Sequence, residues 1–209
     1  MKFSSDYKWL KWATEIQAIA QNGLAYTQGE FDKERYHALN KIAAEILAEH
    51  SQLNKQAILN ELALESGYAT PKVGVRGAAF LDNKILLVKE RTDGLWSIPG
   101  GWADVNYSPS ENVIKEIFEE TGYEARPIKM LALYDKQKHP HPLEYRHIYE
   151  CILLCEITGG SLKTSYETLE VAFFAENEIP PLSLKRILPQ QIQRLFAHYR
   201  HPEWPTDFD

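Results

Sequence analysis

No stretch of this 209-residue chain approaches the roughly 18–20 consecutive apolar residues that crossing a bilayer requires, so a spanning helix is not expected. The opening Met1-Lys2-Phe3-Ser4-Ser5-Asp6-Tyr7 lacks the apolar stretch and small-residue cleavage site of a secretion signal, and a cytoplasmic protein is expected. Glycine and proline number only 11 each, which excludes collagen-like and low-complexity chains. Cysteine is scarcer still. Cys151 and Cys155 lie four residues apart in Tyr149-Glu-Cys-Ile-Leu-Leu-Cys-Glu-Ile157. Along a strand that spacing is about 13 Å, too far for a disulfide, so both are expected as reduced core thiols. Positive charge is also in deficit: 23 Lys and Arg face 29 Asp and Glu, a net charge of −6. Such a chain is a poor long-range attractor for nucleic acid or an anionic membrane, and neither is an expected partner. An anionic substrate would need a local remedy, such as a bound cation.

What is present suits one globular domain with a small appendage: 44% hydrophobic and 25% charged residues. Residues 1–66 read as three helices. Trp9, Trp12, Ala13, Ile16, Ile19 and Ala20 recur at helical spacing after Ser5-Asp6, with Asn22-Gly23 as a stop. A second helix starts with Asp32 as N-cap and carries Tyr36, Leu39, Ala43, Ile46 and Leu47 on one stripe. A third follows Asn54 with Ile58, Leu59 and Leu62. Helices this short bury little alone, so they are expected to pack on the main domain or on a second subunit, in a dimerising or lid role. The texture changes at Thr70-Pro71. Strands are expected at 73–81 and 85–88, joined through Asp82-Asn83, and at 130–134, 146–157 and 170–175. Helices are expected at about 109–121 and 189–200, which makes the fold class α/β or α+β, a layered sandwich.

The chemistry concentrates in Gly100-Gly-Trp-Ala-Asp-Val-Asn-Tyr-Ser-Pro-Ser-Glu-Asn-Val-Ile-Lys-Glu-Ile-Phe-Glu-Glu-Thr-Gly-Tyr123. Ser108 is placed as N-cap, Pro109 as the first helical residue, Glu111 as the capping-box partner and Gly122 as the left-handed stop. At about 100° per residue, Glu116, Glu119 and Glu120 share one face, while Ile114, Ile117 and Phe118 point the other way into a core. Three like charges at that spacing repel. Beside a Gly-Gly loop they suggest hard oxygen ligands for a divalent cation of the Mg²⁺ or Mn²⁺ type. His139-Pro-His141 has ligand-like spacing, but beside prolines and without a further ligand nearby it reads as an exposed turn.

This segment resembles the Nudix box, G-x(5)-E-x(7)-R-E-U-x-E-E-x-G-U, with U an aliphatic or aromatic residue. Gly101, Glu116, Ile117, Glu119, Glu120, Gly122 and Tyr123 match it, and Gly94-Leu-Trp-Ser-Ile-Pro-Gly-Gly101 is similar to the usual lead-in. Tyr107 replaces the first Glu of the pattern, and Lys115 replaces its Arg, keeping the charge but losing the bidentate fork. The resemblance spans about residues 70–200. With the helical N-terminus it is closest in character to a subgroup that includes bacterial CDP-choline pyrophosphatases and ADP-ribose pyrophosphatases.

The resemblance implies a Nudix-type α/β/α sandwich with a mixed sheet at 70–203, preceded by an all-helical domain at 1–66. It implies hydrolysis of a nucleoside diphosphate linked to a moiety X, with CDP-choline or ADP-ribose first in line, by metal-assisted attack of water. Mg²⁺ or Mn²⁺ would be held by Glu116, Glu119, Glu120 and the carbonyl of Gly101. Glu119, Glu167 and Glu170 are the candidates for general base. Arg76, Lys138 and Arg146 could contact phosphate or X, and Trp96, Trp102 and Tyr134 could stack on a base or cap a cation. The expected partner is a small nucleoside diphosphate derivative, and the expected assembly a homodimer through the N-terminal helices. Two alternatives remain at this point: cleavage of a nucleoside triphosphate or RNA end, and a nucleotide-sugar sensor without turnover.

Overall fold

The computed structural model describes residues 8–51 and 54–209, and the chain divides into two compact units at Pro71/Lys72. The first unit holds helices α1 (Lys8–Tyr26), α2 (Glu30–Glu49) and α3 (Lys55–Leu64). The expected start at Ser5-Asp6 lies outside the described residues. Asn22-Gly23 does not stop α1, which runs on to Tyr26. Glycine serves packing here: a side chain at Gly23 would overlap the ring of Tyr36, and Asn22 Oδ1 accepts from Ala69 N at 2.6 Å. Helix α2 begins two residues before Asp32, with Gly29 as its cap, and Asp32 instead pairs with Arg35 at 2.6 Å. The apolar stripe on α1 also differs from expectation. Ala13 and Ala20 are fully buried, as are Ala43 and Ala44 of α2, whereas Trp12 and Ile19 are more than half exposed. Small residues form the buried face, so the large ones are left outside. Asn54 caps α3 as expected, its Oδ1 accepting from Gln56 N and Ala57 N.

The second unit is built on one mixed sheet of β1 (Lys72–Leu81), β2 (Lys84–Glu90), β3 (Trp96–Ser97), β4 (Gly100–Trp102), β5 (Tyr123–Asp135), β6 (Ile148–Gly160), β7 (Thr168–Phe174) and β8 (Asp207–Phe208), with α4 (Pro109–Thr121) and α5 (Pro189–Arg200). Asp82 and Asn83, at φ of 49° and 60°, turn the chain between β1 and β2. Past the hairpin the two strands part. β1 pairs with β4 antiparallel and with β6 in parallel, while β2 pairs with β7 and β3, both antiparallel. The parting opens the end of the sheet where β4 and the site lie.

Alternation along the strands sends side chains to two helical layers. Val75, Ala79, Leu86, Val88, Cys151, Leu153 and Cys155 pack with Val113 and Ile117 of α4. Ala78, Phe80, Ile85, Leu87, Ile152 and Leu131 pack with Ile192, Leu195 and Phe196 of α5. Both thiols are free and buried, and burial pushes Cys155 up to about 12. Gly77 lets α4 approach the sheet closely, since a Cβ there would lie 2.9 Å from Ile117 Cγ1 and 3.0 Å from Val113 Cγ2.

Beyond α5 the chain returns along β5. Arg194 binds Asp207 with both nitrogens, at 2.6 and 2.7 Å, Tyr134 Oη donates to Asp207 at 3.1 Å, and His198 Nε2 stands 3.1 Å from the same carboxylate. The Arg194 guanidinium, above all, holds the Asp207 carboxyl down to about 2. A depressed carboxylate stabilises the fold above its unfolded value of about 4, and this contribution fades as pH falls through about 2. With the group partly open to water, it is worth about 1–2 kcal/mol. Asp207→Asn is therefore expected to lower stability at pH 7 and to differ less from the wild type in urea melts near pH 2.5. An unchanged difference across that range would refute the linkage.

Candidate active site

Helix α4 starts as its sequence demands. Ser108 Oγ accepts from Glu111 N, and Glu111 Oε2 accepts from Ser108 N at 2.8 Å. Gly122, at φ 75°, closes it by donating to Phe118 O. The orientation of the helix is a correction to the helical-wheel reading. Val113, Ile117 and Glu120, an i, i+4, i+7 stripe, face the sheet, while Ile114 and Phe118 are exposed. A sheet sees only one stripe of a helix, and the stripe chosen includes a glutamate. The three carboxylates therefore sit at different depths: Glu120 buried, Glu116 half-buried and Glu119 at the surface.

The buried end of this series meets the glycines of β4. Glu120 Oε2 accepts from Gly100 N at 3.0 Å. Gly101 faces Glu116 so closely that a Cβ would fall 2.9 Å from Glu116 Oε1. Burial, reinforced by the charge of Glu90, pushes the Glu120 carboxyl up to about 8 although the Gly100 N–H favours the anion. Glu116 is also raised, chiefly by burial. Lys115, in the place of the pattern's Arg, reaches Asp104 at 2.6 Å and Glu119 at 3.8 Å, tying the loop after β4 to the helix. Tyr107 is exposed on that loop.

Glu90 at the end of β2 is the residue that sequence reasoning missed. It is 5% exposed, bears on Glu120, and binds Arg186 Nε at 2.9 Å. Its signal was parity: it alternates with Leu86 and Val88, both fully buried, so the strand pattern pointed it inward. Arg186 was missed too. Its fork also reaches Ser183 and Thr92, joining the β2–β3 loop to the segment before α5.

The other candidates are distributed unevenly around this cluster. Arg76 is buried beside it, its Nη1 3.4 Å from Gly100 O and its Nε 3.0 Å from Glu150. Glu167 is exposed on the loop before β7 and bears electrostatically on both Glu116 and Glu90. That loop is anchored to the helix through Thr168 Oγ1, which donates to Glu120 O at 3.1 Å. Glu170 is engaged elsewhere, with Lys89 at 2.6 Å. Trp102 is about half exposed at the end of β4. Trp96 is 8% exposed and packs edge-on against Phe174, and Tyr134 is buried with its hydroxyl on Asp207. Arg146 lies over the ring of Tyr145 and beside Glu144, and Lys138 ends the short turn Lys136–Lys138. The structure thus gathers Gly101, Glu116, Glu120, Glu167 and Arg76, and packs Trp96 and Tyr134 into the protein. His139-Pro-His141 is not a fully exposed turn: His141 is half-buried, with Nδ1 2.7 Å from Leu184 O.

Among the described residues no three His, Cys, Asp or Glu side chains already converge in ligating geometry. The donor set nevertheless suits a hard divalent cation. Two partly or wholly buried carboxylates resist ionisation in the protein alone, and a glycine keeps the space over one of them free of a side chain. A layered α/β fold that sets such a carboxylate-bearing helix against a Gly-Gly strand is compatible with metal-assisted hydrolysis of a phosphate anhydride.

Known proteins narrow the class. Residues 70–195 match the NUDIX domain, and residues 7–62 match a family described as UDP-X-like, N-terminal oligomerisation domain. The Bacillus subtilis (strain 168) protein named "Putative ADP-ribose pyrophosphatase YjhB" is 47% identical over 202 residues, covering 97% of each chain. A crystal structure of a UDP-X diphosphatase is 33% identical, with a TM-score of 0.63 over 97% of this chain and 98% of that one. A crystal structure of an ADP-ribose pyrophosphatase from Streptococcus suis 89-1591 is 38% identical, with a TM-score of 0.62 over 67% of this chain and all of that one. The chain belongs to the Nudix family. Its activity is accordingly that of a pyrophosphatase acting on a nucleoside diphosphate linked to X, with a divalent metal ion as cofactor.

Proposed function

We propose that this protein hydrolyses ADP-ribose or a closely similar nucleoside diphosphate sugar, with Mg²⁺ or Mn²⁺. The observation that carries the reading is the apposition of Glu120 and Glu116 to Gly100 and Gly101. Glu116 and Glu120 would hold the cation, joined by the Gly101 carbonyl and by Glu119 from the surface side. A cation bound there neutralises diphosphate oxygens and lowers the pKa of a coordinated water from about 15.7 toward 7. Gly100 N–H orients the Glu120 carboxylate, and Arg76 supplies fixed positive charge one strand away. Glu167 is the best-placed base, because it is exposed yet close enough to bear on Glu116; Glu170 is held by Lys89. ADP-ribose stands first because of the names of the relatives, and CDP-choline second.

The same reading treats residues 70–203 as the catalytic domain and residues 1–66 as the element that joins two copies. The matched oligomerisation family supports a homodimer. So do Trp12, Ile19 and Tyr26, seven residues apart on α1 and each more than half exposed. No described helix is long and apolar enough to cross a membrane, and both thiols are free, in keeping with a cytoplasmic enzyme.

The test is product analysis on ADP-ribose, UDP-glucose, CDP-choline, a deoxynucleoside triphosphate and a 5′-triphosphorylated RNA, each with Mg²⁺, Mn²⁺ or EDTA. AMP and ribose 5-phosphate are expected from ADP-ribose with either metal and not with EDTA. Undiminished turnover in EDTA would overturn the metal assignment. Faster release of pyrophosphate from the triphosphate or the RNA would overturn the substrate assignment.

A further inference from the structure

Strand β7 opens with a threonine turned inward and a leucine turned out. Val88 lies opposite Val171 on the face packed against α4, and strict alternation would bring Leu169 inward next. The register instead shifts between Lys89 and Glu90. Glu170 lies opposite Lys89 and Thr168 opposite Glu90, with Leu169 as the extra residue of a bulge. Thr168 is consequently 1% exposed and Leu169 40% exposed. Burying a hydroxyl where the pattern offers a leucine forgoes apolar burial, and bulges that re-aim a side chain gather beside active sites.

The buried hydroxyl is fully engaged. Thr168 Oγ1 donates to Glu120 O at 3.1 Å, one of the carbonyls that the end of α4 leaves without a helical partner. It accepts from Ser165 N at 3.0 Å. With the threonine hydrogen so committed, the 3.2 Å contact between the two hydroxyls is a bond that Ser165 Oγ donates. Ser165 Oγ in turn accepts from Glu167 N at 3.0 Å, and Glu167 O accepts from Arg91 N at 2.9 Å. The main chain of Glu167 is thus held at both its N–H and its C=O, while its side chain is exposed. Lys163 N, which donates to Thr121 O at 2.8 Å, ties the start of this loop to the helix, and Thr168 ties its end.

A general base removes a proton from water while the water oxygen bonds to phosphorus. Its placement governs turnover more than substrate binding, and a shift of about 1 Å costs about 10²-fold. We propose that Thr168 is a positioning residue for the hydrolysis, its hydroxyl fixing Glu167 relative to the carboxylates of α4. This rests on the reading of Glu167 as the base of a nucleoside diphosphate-X hydrolase. In Thr168→Val, which keeps the shape and loses the hydroxyl, kcat with Mg²⁺ on the best of the substrates named above is expected to fall about 10–100-fold. KM, and Mn²⁺ affinity read by paramagnetic resonance, should stay at the wild-type values. Thr168→Ser should recover most of the loss. Because the bond also satisfies a helix end, a double-mutant cycle separates its role in turnover from its role in stability. In a Glu167→Gln background, itself slow, the valine substitution should add little. Additive losses, a serine variant as slow as the valine one, or weakened Mn²⁺ binding would assign Thr168 to folding or to the metal ligands, and each overturns the proposal. If Thr168→Val does not fold, Ser165→Ala takes its place, since it removes the hydroxyl that binds Glu167 N. The same non-additive fall is expected there, and an unchanged kcat refutes the proposal. Wild-type turnover in Glu167→Gln would sink the base reading and this proposal together, whereas a slow Glu167→Gln beside an undisturbed Thr168→Val would sink this proposal alone.

Discussion

Replacing Glu120 by Gln is expected to lower kcat by about three orders of magnitude while leaving the melting temperature equal to the wild type's or higher. The first half follows from the depth of the residue. Glu120, the ligand proposed above, is 4% exposed and oriented by Gly100 N–H, and an amide in its place offers a hard divalent cation no anionic oxygen. The second half follows from electrostatics. Burial and Glu90 push this carboxyl up to about 8, so without a cation it is largely protonated at neutral pH, and a neutral amide of the same shape takes its place and still accepts from Gly100. Stopped turnover assays and thermal melts, with Mn²⁺ titration by paramagnetic resonance, check both halves. A variant with wild-type kcat would remove Glu120 from the metal site; one that melts far lower would show that the carboxylate is primarily structural.

Gly100→Ala should do the reverse, damaging the fold and the site together. Gly100 has φ of 148°, a conformation side chains rarely adopt, and an added Cβ would overlap the carbonyl oxygen of Val75 and approach Arg76 Cα to 2.7 Å. Both obstacles are backbone of the adjacent strand β1, which cannot swing aside as a flexible side chain would. A loss of about 3 kcal/mol or more is expected, with β4 displaced from β1. The glycine also supplies the N–H that holds Glu120, so activity should be lost even at temperatures where the variant remains folded. Chemical denaturation and kcat measured well below the melting point test the two effects separately. A fully active, fully stable variant would mean that β4 can shift without consequence for the proposed metal ligands.

The sequence made these two positions legible for different reasons. Ser108, Pro109, Glu111 and Gly122 are local signals, read within a few residues, and the helix they bound is the one observed. Asp82-Asn83, and Thr70-Pro71 at the boundary between the two units, are local in the same sense. Long-range facts were less accessible. Which stripe of α4 faces inward depends on Gly77, thirty-six residues before Val113, and so local spacing alone points Ile114 and Phe118 to a core that never reaches them. Glycine usually breaks helices, which predicts a stop at Gly23, but the ring of Tyr36 packs over it and α1 continues. Glu90 and Arg186, ninety-six residues apart, form a pair that only the tertiary fold can make. His139 and His141 look alike in sequence, yet one binds Asp209 and the other donates to Leu184, because the segments beneath them come from different parts of the chain.

The returning tail has a bearing on colloidal behaviour. Strand β5 is thirteen residues long, and β6 pairs with only one of its edges. The other edge is occupied in sequence by Lys129, which binds Pro202 O and Trp204 O, by Met130, whose carbonyl accepts from Thr206, and by Ala132 and Leu133, which pair with β8. An uncovered strand of this length, carrying Ile128, Met130 and Leu133, would offer other molecules a ready template for edge-to-edge addition. Eight residues, from Pro202 to Asp209, thus cover the edge of β5, and removing them is expected to expose it and lower solubility at high protein concentration.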